Sequence, residues 1–369
     1  MRIGLDARSV GLEGVGRYIR ELTANLAEID DKNEYILYFL SEKDAENHAV
    51  KKNNFSSALL PISLYDIHKQ PLLTRRLRKD GLDVFHATDH WLAPLFPPCK
   101  LIITIHDLYA YYLPEVVSTK ALAYGRFLFN RTFKKAVRLI LTTNFMKCQL
   151  LKHQPGTEQK ITLIPLGVSK AFKSNSGVTV EEVRKKFGIE KNYLLYVGTL
   201  RNYKNVARLI EAFGSLPSRI RDSHHLVIAA DKKTRFADIL KKPKDLGIET
   251  EVKFVGLVQT EDLSALYRGA TAFVLPALCE GFGLPIIEAM SSGVPVITSN
   301  VTAMPEVAGG AAVLVDPYCI DELRKAMENV IVDEALRLKL IYLGKERSAI
   351  FSWAETAKKV LNVYHEQCG

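Results

Sequence analysis

Long apolar runs are missing from this chain. No stretch of the 369 residues approaches the ~20 consecutive apolar positions that a membrane-crossing helix needs. A leader is not expected either, because Met1-Arg2-Ile3-Gly4-Leu5-Asp6 reaches an acid before a signal peptide's apolar core could start. Cysteine is sparse: five residues at 99, 148, 279, 319 and 368, none in a C-x-x-C pair. That excludes a structural zinc site and a disulfide framework, and the expected compartment is a reducing cytoplasm. No G-x-x-x-x-G-K-[ST] is present, so a P-loop is excluded. Low-complexity tracts and short repeats are lacking as well.

What is present is a balanced globular composition, 47% hydrophobic and 25% charged, in a chain long enough for two domains. The net charge is +9. Residues 1–168 hold 23 Lys and Arg against 17 Asp and Glu, and the remainder 27 against 24, so the excess leans towards the first half. Such an excess suits anionic lipid, a phosphorylated acceptor or nucleic acid, and equally a solvated basic surface.

Short apolar runs alternate with amphipathic stretches, the pattern of an α/β protein with parallel sheets. Strands are expected at 2–7, 34–40, 83–88, 101–105, 138–142 and 161–165, with helices at 15–28, 70–80, 118–136 and 145–153. A Ser-, Gly- and Lys-containing loop at 167–177 reads as a linker. A second alternation follows, with strands at 193–198, 225–230, 252–256, 272–276, 294–298 and 312–315. Its helices are expected at 203–216, 233–246, 261–269, 285–292, 319–331 and 333–349. A last helix, Trp353 to His365, has Trp353, Ala357, Val360, Leu361 and Tyr364 at helical spacing. Two Rossmann-like units emerge: 1–168 and 169–350, with 351–369 as a terminal helix. Open α/β sheets bind ligands at the carboxyl ends of their strands, which makes the cleft between two such units the expected site.

The densest chemistry lies in VLPALCEGFGLPIIEAMSSGVPVITSNVTAMPEV, residues 274–307. A buried-type strand leads to Glu280, Gly281 and Gly283. Pro285 suits the start of a helix, and Glu288 is expected in its first turn. Free N–H groups at a helix start favour phosphate, glycines let backbone amides approach a ligand, and carboxylates accept from sugar hydroxyls. Phosphate together with a polyol is the chemistry of a sugar nucleotide.

Glu280 to Glu288, embedded in EGFGLPIIEAMSSGVPVITSN, resembles the E-x7-E signature of the retaining glycosyltransferases of family 4. The resemblance extends over nearly the whole chain. It implies the GT-B fold, two Rossmann-like domains facing each other across a cleft, with the terminal helix crossing back to the N-terminal domain. By the same resemblance Glu280 holds hydroxyls of the transferred sugar, and Gly281, Phe282, Gly283 and the neighbouring Leu284 border the sugar and diphosphate. Glu288 then binds the ribose. Downstream, MPEVAGGAAVLVDP is similar to the family's PEVxGDAAxLVDP, with Gly310 in place of the usual acid.

Other segments carry further assignments. The opening RIGLDARSVGLEGVGRY resembles the family's N-terminal glycine loop, which places Gly14 and Gly16 at the donor phosphates; as a dinucleotide fingerprint it is incomplete, since position 19 is Ile. His106 follows a buried-type strand in Thr104-Ile105-His106-Asp107, where its charge can be tuned. The resemblance puts it beside the transferred sugar, with Asp107 on the acceptor side. His86, in VFHATDHW, is a weaker candidate. Tyr196 to Asn205 reads YVGTLRNYKN and is similar to YVGTLEPRKN of a branch rich in mannosyltransferases. Lys204 matches the family lysine that neutralises the leaving diphosphate, the kind of fixed charge that stabilises a transition state. The family arginine has no counterpart: Thr199 stands at one of its positions and Tyr203 at the other, and Arg201 is a shifted substitute. Val255 to Val258 resembles the strand end whose backbone embraces the nucleobase. Glu261 reads as a first-turn residue favoured by the helix dipole.

No two aspartates stand two apart, so a D-x-D motif that would hold a divalent metal against the diphosphate is absent and no metal or other cofactor is expected. Arg75-Arg76-Leu77-Arg78-Lys79 and the mixed basic and aromatic run Arg126 to Arg138 are suited either to anionic lipid or to a solvated helix face. No nucleic-acid module accompanies them. The resulting expectation is a retaining hexosyltransferase using a nucleotide-sugar donor, GDP-mannose by the GTLxxxKN variant, and a saccharide or lipid-linked saccharide acceptor. It would work in glycan or polysaccharide biosynthesis, cytoplasmic and peripheral at the inner face of the membrane. A UDP-sugar enzyme, an epimerase or hydrolase on the same scaffold, and a catalytically silent partner are the alternatives.

Overall fold

A computed structural model describes residues 1–12, 14–63, 66–112, 119–173, 177–231 and 236–368. Four sequence expectations run partly outside these: Glu13 of the glycine loop, the start of the 118–136 helix, residues 174–176 of the linker and the start of the 233–246 helix. The chain forms two compact units, residues 1–167 with 352–369, and residues 168–351.

The first unit is built on a parallel seven-stranded sheet of order β3-β2-β1-β4-β5-β6-β7. Its strands are β1 (Arg2–Asp6), β2 (Glu34–Phe39), β3 (Phe55–Leu59), β4 (Val84–Ala87), β5 (Lys100–Ile105), β6 (Arg138–Leu141) and β7 (Ile161–Leu163). In β1 and β4 to β6 every position but the first or none is buried, as strands covered on both faces require. Ile3 pairs with Val84 and Leu5 with His86, so β1 and β4 run side by side. The order reverses between them, creating the switch point at which such sheets bind ligands.

One face of this sheet packs on an aromatic and aliphatic core that includes Phe85, Leu101, Ile103, Phe129 and Phe133. The terminal helix Trp353–Cys368 packs beside the helix Gly14–Ile29. Trp353, Ala357, Val360 and Tyr364 are buried as their spacing predicts, but Val363 goes inward too and Leu361 is only half-buried. Thr356 Oγ1 donates to the Pro165 carbonyl at 2.8 Å, fixing the start of that helix against the end of the sheet.

Two elements of this unit escape sequence reading. β3 has the burial pattern of an edge strand, with only Phe55 fully buried, so Phe-Ser-Ser-Ala-Leu presents no apolar run. The helix Glu42–His48 buries no residue and is defined by its cap, Ser41 Oγ accepting from the Asp44 N–H.

The second unit carries a parallel six-stranded sheet of order β10-β9-β8-β11-β12-β13. The strands are β8 (Asn192–Val197), β9 (His224–Ala229), β10 (Val252–Phe254), β11 (Ala272–Leu275), β12 (Val296–Ser299) and β13 (Val313–Val315). Its switch point lies between β8 and β11, which pair through Ala272 with Leu194 and Phe273 with Leu195. The helix Val180–Phe187, not expected from apolar periodicity, has a complete capping box between Thr179 and Glu182 and a left-handed Gly188 at its end.

Candidate active site

Lys204 and Glu280 meet at the second unit's switch point. Lys204 stands in the short turn after β8, and Glu280 in the loop after β11. Their side chains form an ion pair, Nζ to Oε1, with side-chain exposures of 16% and 12%. Burial is the largest single influence and eases the proton off Lys204, but the charge and hydrogen bond of Glu280, joined by Tyr203 and Cys279, together outweigh it and hold the ammonium above its ordinary value. Lys204 is therefore a fixed cation at the carboxyl ends of parallel strands.

Several contacts hold the two loops in register. Asn205, buried and left-handed at φ 63°, donates Nδ2 to the Pro276 carbonyl at 2.9 Å and to the Pro317 carbonyl at 2.7 Å. One amide thus ties the Lys204 turn to the loops after β11 and β13. Its Oδ1 accepts from Arg208 at 2.9 Å. The Leu278 N–H donates to the Tyr203 carbonyl at 2.7 Å. On the other side the Glu280 N–H donates to Thr302 Oγ1 at 3.2 Å, and Thr302 itself has φ 58°. A β-branched residue with positive φ is strained backbone, which collects at functional sites. The sequence alone gives Asn205 and Thr302 no role; Asn205 only closes the YVGTLRNYKN motif.

The glycine loop is placed as expected but Glu288 is not. Gly283 is left-handed at φ 88° and precedes the helix Leu284–Ser291, with Pro285 in its first two positions. Counting from Leu284, Glu288 lies in the second turn, not the first. The left-handed glycine delays the helix start less than the proline suggests. Glu288 is 1% exposed, and the Tyr267 hydroxyl donates to its Oε2 at 3.2 Å. Gly281, Phe282 and Gly283 are buried, and the Phe282 ring packs edge-on against Phe351 at 5.6 Å.

Of the remaining second-unit candidates, Thr199 and Arg201 follow β8, and Val255, Val258 and Glu261 follow β10. The Thr199 carbonyl accepts from the Tyr196 hydroxyl at 2.7 Å, while Thr199 Oγ1 is buried without a hydrogen-bond partner. Arg201 is exposed at the start of the Lys204 turn. Val255 and Val258 are half-buried just past β10, with the Val255 N–H donating to the Ile228 carbonyl at 3.0 Å. Glu261 is in the first turn of the helix Thr260–Gly269.

In the first unit, His106 stands immediately after β5. Its Nε2 donates to the Thr88 carbonyl at 2.8 Å. A carbonyl only accepts, so Nε2 carries the proton and Nδ1 is the lone-pair nitrogen of the neutral ring. Burial pushes its pKa down, partly offset by the Asp89 charge and the Thr88 bond, so the ring is neutral near pH 7. Tyr18, from the glycine-loop helix, meets the His106 ring edge-on at 4.8 Å. The opening motif and the His-Asp segment are thereby joined, a contact that sequence reading missed. Asp107 is half-buried beside His106.

His86 is a different kind of histidine. It is fully buried, with Nδ1 bonded to the Tyr364 hydroxyl at 2.6 Å and Nε2 to Thr104 Oγ1 at 2.8 Å. Burial pushes it down to about 3. Thr104 also bonds the Tyr18 hydroxyl at 2.9 Å, so His86 belongs to the scaffold under His106. The two loop glycines also separate. A side chain at Gly16 would place its Cβ 2.2 Å from the Val10 carbonyl oxygen, so the turn itself demands glycine there; at Gly14 nothing lies within 4 Å. Among the described residues there is no cluster of three or more His, Cys, Asp or Glu able to hold a metal ion, and no helix is long and apolar enough to cross a membrane.

Comparison with known proteins agrees with this architecture. Residues 12–172 match the family model described as Glycosyltransferase Family 4, and residues 179–347 match that described as Glycosyl transferases group 1. The O-antigen chain mannosyltransferase B of Escherichia coli is 28% identical over 96% of both chains. The O-antigen chain mannosyltransferase RfbU of Salmonella typhimurium is 29% identical over 76% of this chain and 74% of its own. Among solved structures, WaaG, a glycosyltransferase involved in lipopolysaccharide biosynthesis, is 20% identical with a TM-score of 0.79 over 98% of this chain and 99% of its own. With one model on each unit, a strand order and strand-end chemistry that suit a nucleotide sugar, and a full-length relative of the same class, the chain belongs to family 4 of the glycosyltransferases and has the GT-B fold.

Proposed function

We propose that this enzyme transfers mannose from GDP-mannose, with retention at the anomeric carbon, to a saccharide acceptor carried on a lipid, in the assembly of a polysaccharide. The observation that carries the reading is the Lys204–Glu280 pair at the second unit's switch point. The choice of mannose is supported by the full-length relative, a mannosyltransferase. Lys204, with Arg201 and the Thr199 hydroxyl, faces the diphosphate. Glu280 accepts from sugar hydroxyls, and the Gly281–Leu284 segment lies along the sugar and diphosphate. Glu288, held by Tyr267, takes the ribose, and the backbone of Val255 and Val258 takes the base. Gly14 is the glycine left open to the donor phosphates. His106 bonds a hydroxyl of the transferred sugar through Nδ1, and Asp107 serves the acceptor.

In the reaction the bond from the anomeric carbon to the diphosphate oxygen breaks as the acceptor oxygen bonds to the same face. The acceptor's proton passes to the departing phosphate. Charge grows on that phosphate, and a cation already in place stabilises it without reorganisation. Glu280 binds rather than attacks, since its carboxylate is committed to Lys204. No divalent metal takes part. The enzyme works in the cytoplasm, at the inner face of the membrane where a lipid-linked acceptor is reached.

Calorimetry with GDP, UDP, ADP and dTDP, in chelator, tests the donor and the metal together. Tight binding of GDP alone is the expected result. Tight binding of UDP instead would overturn the mannose assignment in favour of a UDP-sugar, and a requirement for added metal would overturn the metal-free reading. Turnover of GDP-mannose that needs no saccharide would make the protein an epimerase or hydrolase.

A further inference from the structure

The two basic clusters, far apart in sequence, converge on one face of the first unit. The helix Gln70–Lys79 and the helix Thr119–Lys135 are joined by the loop between β4 and β5, at Phe96. Thr74 Oγ1 donates to the Phe96 carbonyl at 2.8 Å. The Arg131 guanidinium lies over the Phe96 ring at 4.8 Å and the Lys135 ammonium at 4.9 Å. Lys135 also donates to the Leu95 carbonyl at 3.0 Å.

The charge on this face is nearly all positive; Asp80, which ends the helix Gln70–Lys79, pairs with Arg76 Nε at 2.7 Å. The two helices and residues 90–98 of the loop hold nine Lys and Arg and no Asp or Glu. The rest of residues 1–168 holds fourteen against seventeen, a net negative charge. The whole positive excess of the first half is therefore gathered here. Arg75, Arg78, Arg131 and Lys134 are exposed among these cations. Three large apolar side chains stand out among them: Leu72 at 58% exposure, Phe96 at 46% and Phe127 at 54%.

The helix Thr119–Lys135 does not lay its own apolar stripe on a membrane, because Leu128, Phe129 and Phe133 of that stripe are fully buried in the unit's core. Its outer side is what remains. Solvation accounts for the exposed lysines and arginines, and the two cations over its ring account for the place of Phe96, but neither gives a reason to expose Phe127 and Leu72 beside them. An anionic bilayer surface answers both: cations meet phosphate headgroups, and aromatic rings settle at the interface.

We propose that this face, centred on Phe96, Phe127 and Arg131, docks the enzyme on the anionic surface of a bilayer. The inference deepens the reading of a lipid-carried acceptor and rests on it. The loop after β4 links the two: Thr88 at its start holds His106, and Phe96 lies eight residues on.

The test is co-sedimentation of the full-length enzyme, without donor, on phosphatidylcholine vesicles with and without phosphatidylglycerol. The wild type is expected to bind only the vesicles with phosphatidylglycerol. Each basic residue near such a surface contributes a several-fold gain, so Arg131→Glu with Lys135→Glu should weaken binding by at least ~10-fold. Phe96→Ser with Phe127→Ser should weaken it as well. Lys241→Glu with Lys244→Glu, exposed cations of the second unit, should change it little. No binding by the wild type, an equal loss in the second-unit variant, or unchanged binding by the first-unit variants would overturn the assignment. So would tight binding to soluble polyphosphate with both phenylalanines dispensable, which would make the face a polyanion site. Mannose transfer to a soluble saccharide, measured on the same samples, should be unaffected by these variants. Its absence in the wild type would sink the mannosyltransferase reading and leave the vesicle result standing.

Discussion

The two parallel sheets share the strand order 3-2-1-4-5-6 around their switch points, yet their strand ends carry opposite electrostatic preparations. In the second unit a buried ammonium is kept charged by a carboxylate, Lys204 by Glu280. In the first, burial keeps an imidazole neutral, His106, and the charge lies away on the surface around Phe96. One topology therefore carries two strand ends of different chemical capacity. A preset cation suits a ligand that gains negative charge during reaction, whereas a neutral ring with one lone pair and one committed N–H suits a hydroxyl.

The strongest way to break this comparison is to remove the preset charge. Lys204→Ala and Glu280→Gln should each leave folding intact and lower transfer by at least ~100-fold, the scale of losing a transition-state contact. A double variant sharpens the result. If the two residues serve only each other, Lys204→Met with Glu280→Leu should recover activity relative to either single change, because the cycle then removes an isolated pair. The expected result is no recovery, measured as kcat/KM on purified protein with unchanged thermal midpoint.

A weaker effect is expected where the second unit's loops are held. Asn205 gives two hydrogen bonds to loop carbonyls and accepts left-handed backbone. Asn205→Ala loses both and should lower kcat by about 10-fold, with a loss of stability of ~1–3 kcal/mol from the carbonyls left unpaired. Asn205→Gly relieves the backbone term alone. It should therefore be the more stable variant while remaining as slow. Equal stability of the two would show that the left-handed turn costs nothing here.

The first unit can be probed by pH. His86 titrates at about 3 in the fold and near ~6.5 when unfolded. The unfolded chain then binds the proton first as pH falls, so stability is full above ~6.5 and is lost progressively below it. One such group changes the folding equilibrium by about tenfold per pH unit. His86→Gln, which can still bond Tyr364 and Thr104, should remove that much from the slope of stability against pH between 6 and 4, as followed by urea unfolding. An unchanged slope would mean that His86 is already charged in the fold.

Legibility in the sequence divides along the same lines as the chemistry. Both sheets were readable because strands buried on both faces become continuous apolar runs, as in Phe273-Val274-Leu275. β3 was not, because an edge strand buries too little to show a pattern. Glu280, Lys204 and His106 stand out in the sequence because each sits in a motif at a strand end, and the structure pairs the first two. What holds them was hidden: Thr302 lies 22 residues from Glu280, Tyr18 lies 86 from Thr104, and Pro317 lies 112 from Asn205. Contacts at such separations depend on the fold being complete. Glu288 falls one position past the first turn because the helix starts at Leu284, one residue before Pro285, on the backbone of Gly283, which a residue name does not reveal.

The smallest expected effect concerns Arg201, where the chain departs from the family pattern. Lys204 is nearly enclosed and its charge is supported by a partner, whereas Arg201 is exposed at the start of the same turn. Water and salt screen an exposed cation, so its attraction for a diphosphate is worth little beside that of a buried one. Arg201→Ala should therefore lower kcat/KM only about 3-fold, through KM, and more so at low salt than at high. Arg201→Lys should restore most of it, since a screened point charge needs no planar guanidinium. A loss as large as that of Lys204→Ala, unrecovered by lysine, would instead require a two-pronged contact with the diphosphate. The comparison would then change: the second unit would rely on two cations, one held in place before the donor arrives and one recruited by it.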